Sequence, residues 1–235
     1  MEHDDIIKIL FRHLYIMKLL LTSAGISNKL IAKALFNLVG KRPQETSLVF
    51  IPTASNIEAG DKGWLIDDLT NLRKQNFKSI EIADISAVNE SVWRPRVEAA
   101  DILYFEGGDN FYLMEWINKS GLGRLLPQLL VNKVYVGVSA GSMVISRDLN
   151  LNSSQILYQE NLDRTEDLLG LNLVDFYFFP HLNSPYFPHV RPDLIKEFAQ
   201  KQTDKIYALD DNSALKVVDD SIEIISEGKW LVFND

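Results

Sequence analysis

The sequence predicts a single α/β domain of three layers, with helices on both faces of a mostly parallel sheet and a β-meander at the C-terminal end. Three observations carry that expectation. Apolar, β-branched runs such as 48–51 and 133–138 are continuous rather than alternating, as strands covered on both faces must be. They alternate with helical stretches, the order that builds parallel sheets. Ser139 and the glycine-rich loop 107–110 both fall at the carboxyl ends of expected strands, where functional groups collect in such sheets. With 235 residues, 46% of them hydrophobic, the chain can bury one such core.

The elements follow in order. Residues 1–16 read as an amphipathic helical extension, with Ile6, Ile7, Leu10, Phe11 and Tyr15 at helical spacing; the main domain is 17–235, and Met17 could be an alternative start. A strand at 19–22 ends in Ser23-Ala24-Gly25, and a helix at 29–38 stops at Gly40. A strand at 48–51, a helix at 64–74 and a strand at 79–83 come next. The helix at 92–100 is weakened by Pro95. The strand at 101–105 runs into Glu106-Gly107-Gly108-Asp109-Asn110, and helices near 111–118 and 122–131 lead to the strand at 133–138. Residues 149–172 are polar and irregular, the length of loop that is usually functional. A strand at 174–179 delivers Pro180-His181-Leu182-Asn183, followed by a helix near 193–201. Strands at 206–209, 214–218, 222–225 and 230–233 form the meander, expected to extend or cover a sheet edge.

Charge and composition exclude several functions. A formal net charge of -8 argues against nucleic acid and anionic membranes as partners. The N-terminal apolar patches are too short and too interrupted by charge for a membrane span, and the acidic opening is unlike a secretory signal. A cytoplasmic protein is expected. Without cysteine there is no thiol nucleophile, disulfide or Cys-ligated metal; no metal or cofactor is expected, and a thiol amidotransferase is excluded.

Gly137-Val138-Ser139-Ala140-Gly141 is G-x-S-x-G set between a strand and a helix, the context of a nucleophile elbow. The turn lifts Ser139 Oγ off the sheet and leaves the Ala140 N–H to face an oxyanion. A serine hydroxyl needs a base to take its proton, and the chain has four histidines: His3, His13, His181 and His189. His181, at the end of a predicted strand, is the favoured base, with His189 the rival. The glycine-rich loop 107–110 is where backbone can approach a substrate and supply a second oxyanion donor.

Four segments together resemble the peptidase E family: Phe-Glu-Gly-Gly-Asp-Asn-Phe at 105–111, Gly-Val-Ser-Ala-Gly-Ser at 137–142, Phe-Pro-His-Leu-Asn at 179–183 and Ala-Leu-Asp-Asp-Asn-Ser-Ala-Leu at 208–215. These are aspartyl dipeptidases of the class I glutamine-amidotransferase-like, flavodoxin-like fold, with cyanophycinase a more distant relative. The resemblance runs from about Met17 to the C-terminal end. It implies a Ser–His–acid hydrolase with Ser139 as nucleophile, His181 as base and Asp109 backbone as the second oxyanion donor. It also implies that the acid lies between serine and histidine, where counting favours Glu160 over Asp163. Gly108, Asn110 and Asn183, in the matched motifs, are expected at the substrate, and Arg191 falls where the family places an arginine for an aspartate carboxylate. Asp210 and Asp211 could meet a free α-amino group. The expected activity is a serine exopeptidase acting on short peptides with N-terminal Asp, with a homodimer as an allowed assembly. The alternatives are a ligand-binding protein on the same fold, or an esterase or amide hydrolase of other specificity.

Overall fold

The computed structural model describes residues 16–235. The expected N-terminal helix, with His3 and His13, lies outside the described residues.

Strand β1 (Lys18–Thr22) is followed by helix α1 (Lys29–Val39), whose N-cap Asn28 accepts the Ile31 N–H and whose C-cap Gly40 is left-handed. These ends match the capping preferences of Asn and Gly. Strand β2 (Ser47–Ile51) leads into the short helix α2 (Thr53–Asn56), then α3 (Gly63–Lys74) and β3 (Ser79–Ile82). Helix α4 (Glu90–Ala99) retains Pro95 inside it, and β4 (Ile102–Phe105), α5 (Asn110–Lys119) and α6 (Leu122–Leu130) follow. Strand β5 (Val134–Val138) passes through Ser139 into α7 (Ala140–Met143). The expected irregular stretch contains one helical turn, α8 (Leu151–Ser153), continued by a π-turn at Ser154–Tyr158. The remaining elements are β6 (Phe176–Phe179), α9 (Pro192–Ala199), β7 (Lys205–Leu209), β8 (Ser213–Val218), β9 (Ser221–Ser226) and β10 (Trp230–Phe233).

Seven strands form the main sheet in the order β3-β2-β4-β5-β1-β8-β9. From β3 to β1 every pairing is parallel; β8 and β9 extend the sheet antiparallel. The C-terminal strands do not stay together as one meander. β8 and β9 join the main sheet, whereas β7 and β10 join β6 in a second sheet of order β10-β7-β6. The reason is that β7 is apolar on both faces and takes a parallel partner in the aromatic strand β6.

Strands β4 and β5 are buried along their whole length, as their unbroken hydrophobic runs require. One core fills a face of the main sheet with Leu103, Phe105, Phe111 and Tyr135, and a second fills the other with Leu20, Leu35, Phe50 and Tyr104. A third packs α9 against the small sheet through Ile195, Phe198 and Phe179. Among the described residues, no helix is long and apolar enough to cross a membrane.

Parallel pairing brings the carboxyl ends of β1, β4 and β5 to one rim. The same pairing between β6 and β7 sets Phe179 opposite Ala208. Residues just beyond β6 are therefore neighbours of residues just beyond β7.

Candidate active site

Ser139 occupies the sharp turn between β5 and α7 with φ 46° and ψ −108°, a conformation that costs an L-residue free energy and persists only when its surroundings enforce it. They do so here. The Ser139 N–H donates to Thr22 O at 2.9 Å, and its carbonyl accepts the N–H groups of Ser142 and Met143 at 2.8 and 3.0 Å. Ser142, fully buried, ties the same turn to β1: its hydroxyl donates to Thr22 O at 2.9 Å and accepts the Thr22 N–H at 3.0 Å. A side chain at Gly141 would put its Cβ 2.2 Å from Phe105 O, so only glycine lets the elbow sit this close to β4.

His181 also lies in the left-handed region, at φ 65°. Its N–H donates to Ser23 Oγ at 3.1 Å, and Ser23 in turn donates to Leu209 O at 2.9 Å, so the β1 turn links both sheets. The imidazole bridges two side chains: Nε2 is 3.0 Å from Ser139 Oγ, and Nδ1 is 2.7 Å from Asp211 Oδ1. The Phe187 ring stacks on the imidazole with centroids 4.2 Å apart and planes 11° from parallel. The His181 side chain is 13% exposed and that of Asp211 37%.

The carboxylate on His181 is therefore Asp211, not Glu160. Asp211 lies in the β7–β8 turn, which Asp210 shapes: its carboxylate accepts the Asn212 N–H at 3.0 Å, the Ser213 hydroxyl at 2.6 Å and the Lys229 N–H at 2.5 Å. The Asp210 carboxylate is thus committed to its own turn. Glu160 follows the π-turn and sits near the site, because Tyr158 donates to Pro180 O at 3.2 Å and packs against Phe187, yet it makes no hydrogen bond to His181. Burial, then the charges of Glu58 and Asp109, push its carboxyl up to about 8. Asp163 and His189 are exposed.

The oxyanion loop also departs from expectation. The Asp109 N–H donates to Ala54 O at 3.1 Å, and the Asp109 carboxylate caps α5 by accepting the Tyr112 N–H at 2.7 Å. Asp109 is thus a packing and capping residue. Among the described residues the Gly108 N–H has no acceptor, and neither does the Ala140 N–H at the start of α7. Gly108 has φ 126°, and a Cβ there would lie 2.3 Å from Ala54 O. The adjoining Gly107 lies against the nucleophile, where an added Cβ would be 3.2 Å from Ser139 Cβ.

Of the remaining expected substrate contacts, Asn110 is 2% exposed, and neither of its side-chain amide atoms has a partner among the described residues. Asn183 is exposed on the His181 side, with its N–H on Val190 O at 2.9 Å. Arg191 braces the loop beneath Phe187: Nη1 donates to Phe187 O and Val190 O at 2.9 and 3.0 Å, and Nη2 donates to Ser184 O at 3.0 Å. Three of its five N–H groups are committed to that loop. Among the described residues no group of three or more His, Asp or Glu side chains is placed to hold a metal ion.

Comparison with known proteins agrees with this architecture. The model of peptidase family S51 matches residues 19–225. The chain is 32% identical over 165 residues to the uncharacterized peptidase PM1590 of Pasteurella multocida, covering 68% of this chain and 73% of that one. It is 28% identical over 193 residues to the uncharacterized peptidase Lmo0363 of Listeria monocytogenes, covering 76% and 83%. A 1.5 Å crystal structure of a Listeria monocytogenes EGD-e protein, provisionally described as peptidase E, superposes with a TM-score of 0.73 at 22% identity, over 91% of this chain and all of that one. A peptidase from an acI-B1 actinobacterium superposes with a TM-score of 0.64 at 18% identity, over 93% and 98%. The match over nearly the whole described domain, with the identity to PM1590, shows that this chain belongs to peptidase family S51.

Proposed function

We propose that the protein is a serine-type exopeptidase that hydrolyses short peptides through an acyl-enzyme on Ser139. The observation that carries the reading is the hydrogen-bonded series Ser139 Oγ–His181–Asp211 beside two backbone N–H groups without acceptors. In acylation, His181 Nε2 takes the Ser139 proton as Oγ bonds to the scissile carbonyl carbon. The proton then passes to the amine as the C–N bond breaks. Water enters by the same base and releases the acid. The Gly108 and Ala140 N–H groups receive the developing oxyanion. Asp211 holds the imidazole tautomer that presents Nε2 to the serine.

The free amino terminus of such a substrate is cationic, and the charges of Glu58 and Asp109, which act on the Glu160 carboxyl, supply a negative potential that favours it. A preference for N-terminal Asp rests on Arg191, which is half-buried and fixed by three carbonyls, while among the described residues its two other N–H groups remain to meet a carboxylate. Asp-X dipeptides, other dipeptides and simple esters should be assayed side by side with the wild type and Ser139→Ala. Cleavage of dipeptides that is lost in Ser139→Ala is expected. Undiminished cleavage by the variant would sink the assignment, and turnover of esters alone would make the protein an esterase.

A further inference from the structure

The loop that supplies Gly108 begins with a buried acid. Glu106, directly after β4, is 1% exposed, and Asp68 on α3 is 6% exposed. The Tyr104 hydroxyl donates to Asp68 Oδ2 at 2.7 Å. The two acids lie close enough to act directly on each other, and among the described residues no cation acts on either. Two carboxylates in contact and away from water cannot both ionise, so such a pair shares a proton. Asp68 Oδ1 and Glu106 Oε2 are buried without a partner among the described residues, and a shared proton satisfies them.

We propose that protonated Glu106, donating to Asp68, is a positioning residue that fixes the Gly107–Gly108 backbone so that the Gly108 N–H faces the substrate. The proposal rests on the peptidase reading and deepens it. Buried Glu106 anchors the start of the loop in the interior, directly before Gly107, whose added Cβ would meet Ser139 Cβ at 3.2 Å. On the other side of the pair, Asp68 lies against Gly25, in the turn that begins at Thr22. Within that turn Thr22 O accepts the Ser139 N–H, and Ser23 Oγ accepts the His181 N–H. The acid pair therefore joins the segment that anchors nucleophile and base to the segment that presents the oxyanion donor. The space is tight: a Cβ at Gly25 would lie 2.1 Å from Asp68 Oδ1 and 2.5 Å from the Tyr104 hydroxyl oxygen.

Among the described residues, the titratable groups facing the pair are the two acids themselves and Tyr104. Burial, and then the charge of Asp68, hold Glu106 well above the usual carboxyl range. Burial, followed by the same acids, holds the Tyr104 hydroxyl well above its own range, so it remains a donor. Raising the pH removes the shared proton last, and the two like charges then separate. The loop loosens, and kcat falls while KM is little changed.

The test uses Glu106→Gln and Glu106→Leu in the full chain. A glutamine amide can donate to Asp68 but has no proton to lose. Leucine fills the space without that bond. Two rates are followed against pH: peptide turnover, and the phosphonylation of Ser139 by a fluorophosphonate, which also places developing charge in the oxyanion hole. Thermal melting verifies that each variant is folded. At neutral pH, Glu106→Gln should keep both rates and Glu106→Leu should lose about 10²-fold in both, the scale of one oxyanion donor. The alkaline limb should be absent in Glu106→Gln. Wild-type rates in a folded Glu106→Leu variant, or an unaltered alkaline limb in Glu106→Gln, would overturn the proposal. A wild type that is phosphonylated at Ser139 but cleaves no peptide would overturn the peptidase reading alone, because the phosphonylation rates of the variants still decide the role of Glu106.

Discussion

Replacing Asp211 with asparagine is the most informative single change, because it separates the carboxylate on His181 from the one that counting along the chain favoured. Asp211 Oδ1 lies 2.7 Å from Nδ1, and its side chain is 37% exposed. Where a triad acid is buried, the amide replacement costs about 10⁴ in kcat, since it holds the wrong imidazole tautomer. Here water can take part of the carboxylate's place and screen its charge. The expected loss is therefore about 10²–10³ in kcat, or about 2.7–4 kcal/mol of barrier. Steady-state kinetics on the best dipeptide, with a melting curve as the control for folding, measures it. KM should move little, because the carboxylate acts through the imidazole. Glu160→Gln in the same assay should leave kcat within a few-fold. Near wild-type kcat in Asp211→Asn, or the larger kcat loss in Glu160→Gln, would refute the assignment.

Two further outcomes follow from the same geometry. Gly108→Ala forces a Cβ to within 2.3 Å of Ala54 O at φ 126°; the shifted donor should cost about 10²–10³ in kcat, and the strain about 1–3 kcal/mol of stability by denaturant unfolding. Glu160 is pushed from 4.5 to about 8 in the folded chain, by burial first and by Glu58 and Asp109 next. Between those pH values the unfolded chain ionises while the folded one does not, so stability falls as pH rises through the window. Glu160→Gln removes that penalty. It should be stabilising by about 1–3 kcal/mol at pH 8, after allowance for screening, and neutral at pH 4.5; an equal effect at both values would contradict the burial argument.

Much of the fold was legible because buried parallel strands leave unbroken apolar runs, as at Val134–Val138. The elbow was legible for a local reason: Gly137 and Gly141 are needed where the backbone turns back on β4 and α7. His181 stood out because so few histidines compete with it. The acid was not legible. Asp211 lies two residues beyond β7, as His181 lies two beyond β6, and only the parallel pairing of those strands makes them neighbours. A search confined to the segment between serine and histidine could not reach it, although Asp210-Asp211 stood in a motif already noted. Asp109 misled for a similar reason: its neighbour on α2, Ala54 O, which takes its N–H, is remote in sequence. The division of the C-terminal strands between two sheets depends likewise on which edges are free, which periodicity does not report.

The central claim is that Ser139, activated by His181, is the nucleophile. The most direct measurement is intact-protein mass after fluorophosphonate treatment, with the adduct located by peptide mapping. One adduct on Ser139 is expected in the wild type, none in Ser139→Ala, and strongly slowed labelling in His181→Ala, with peptide cleavage abolished in step. No adduct at Ser139, or peptide cleavage that survives its removal, would contradict the account.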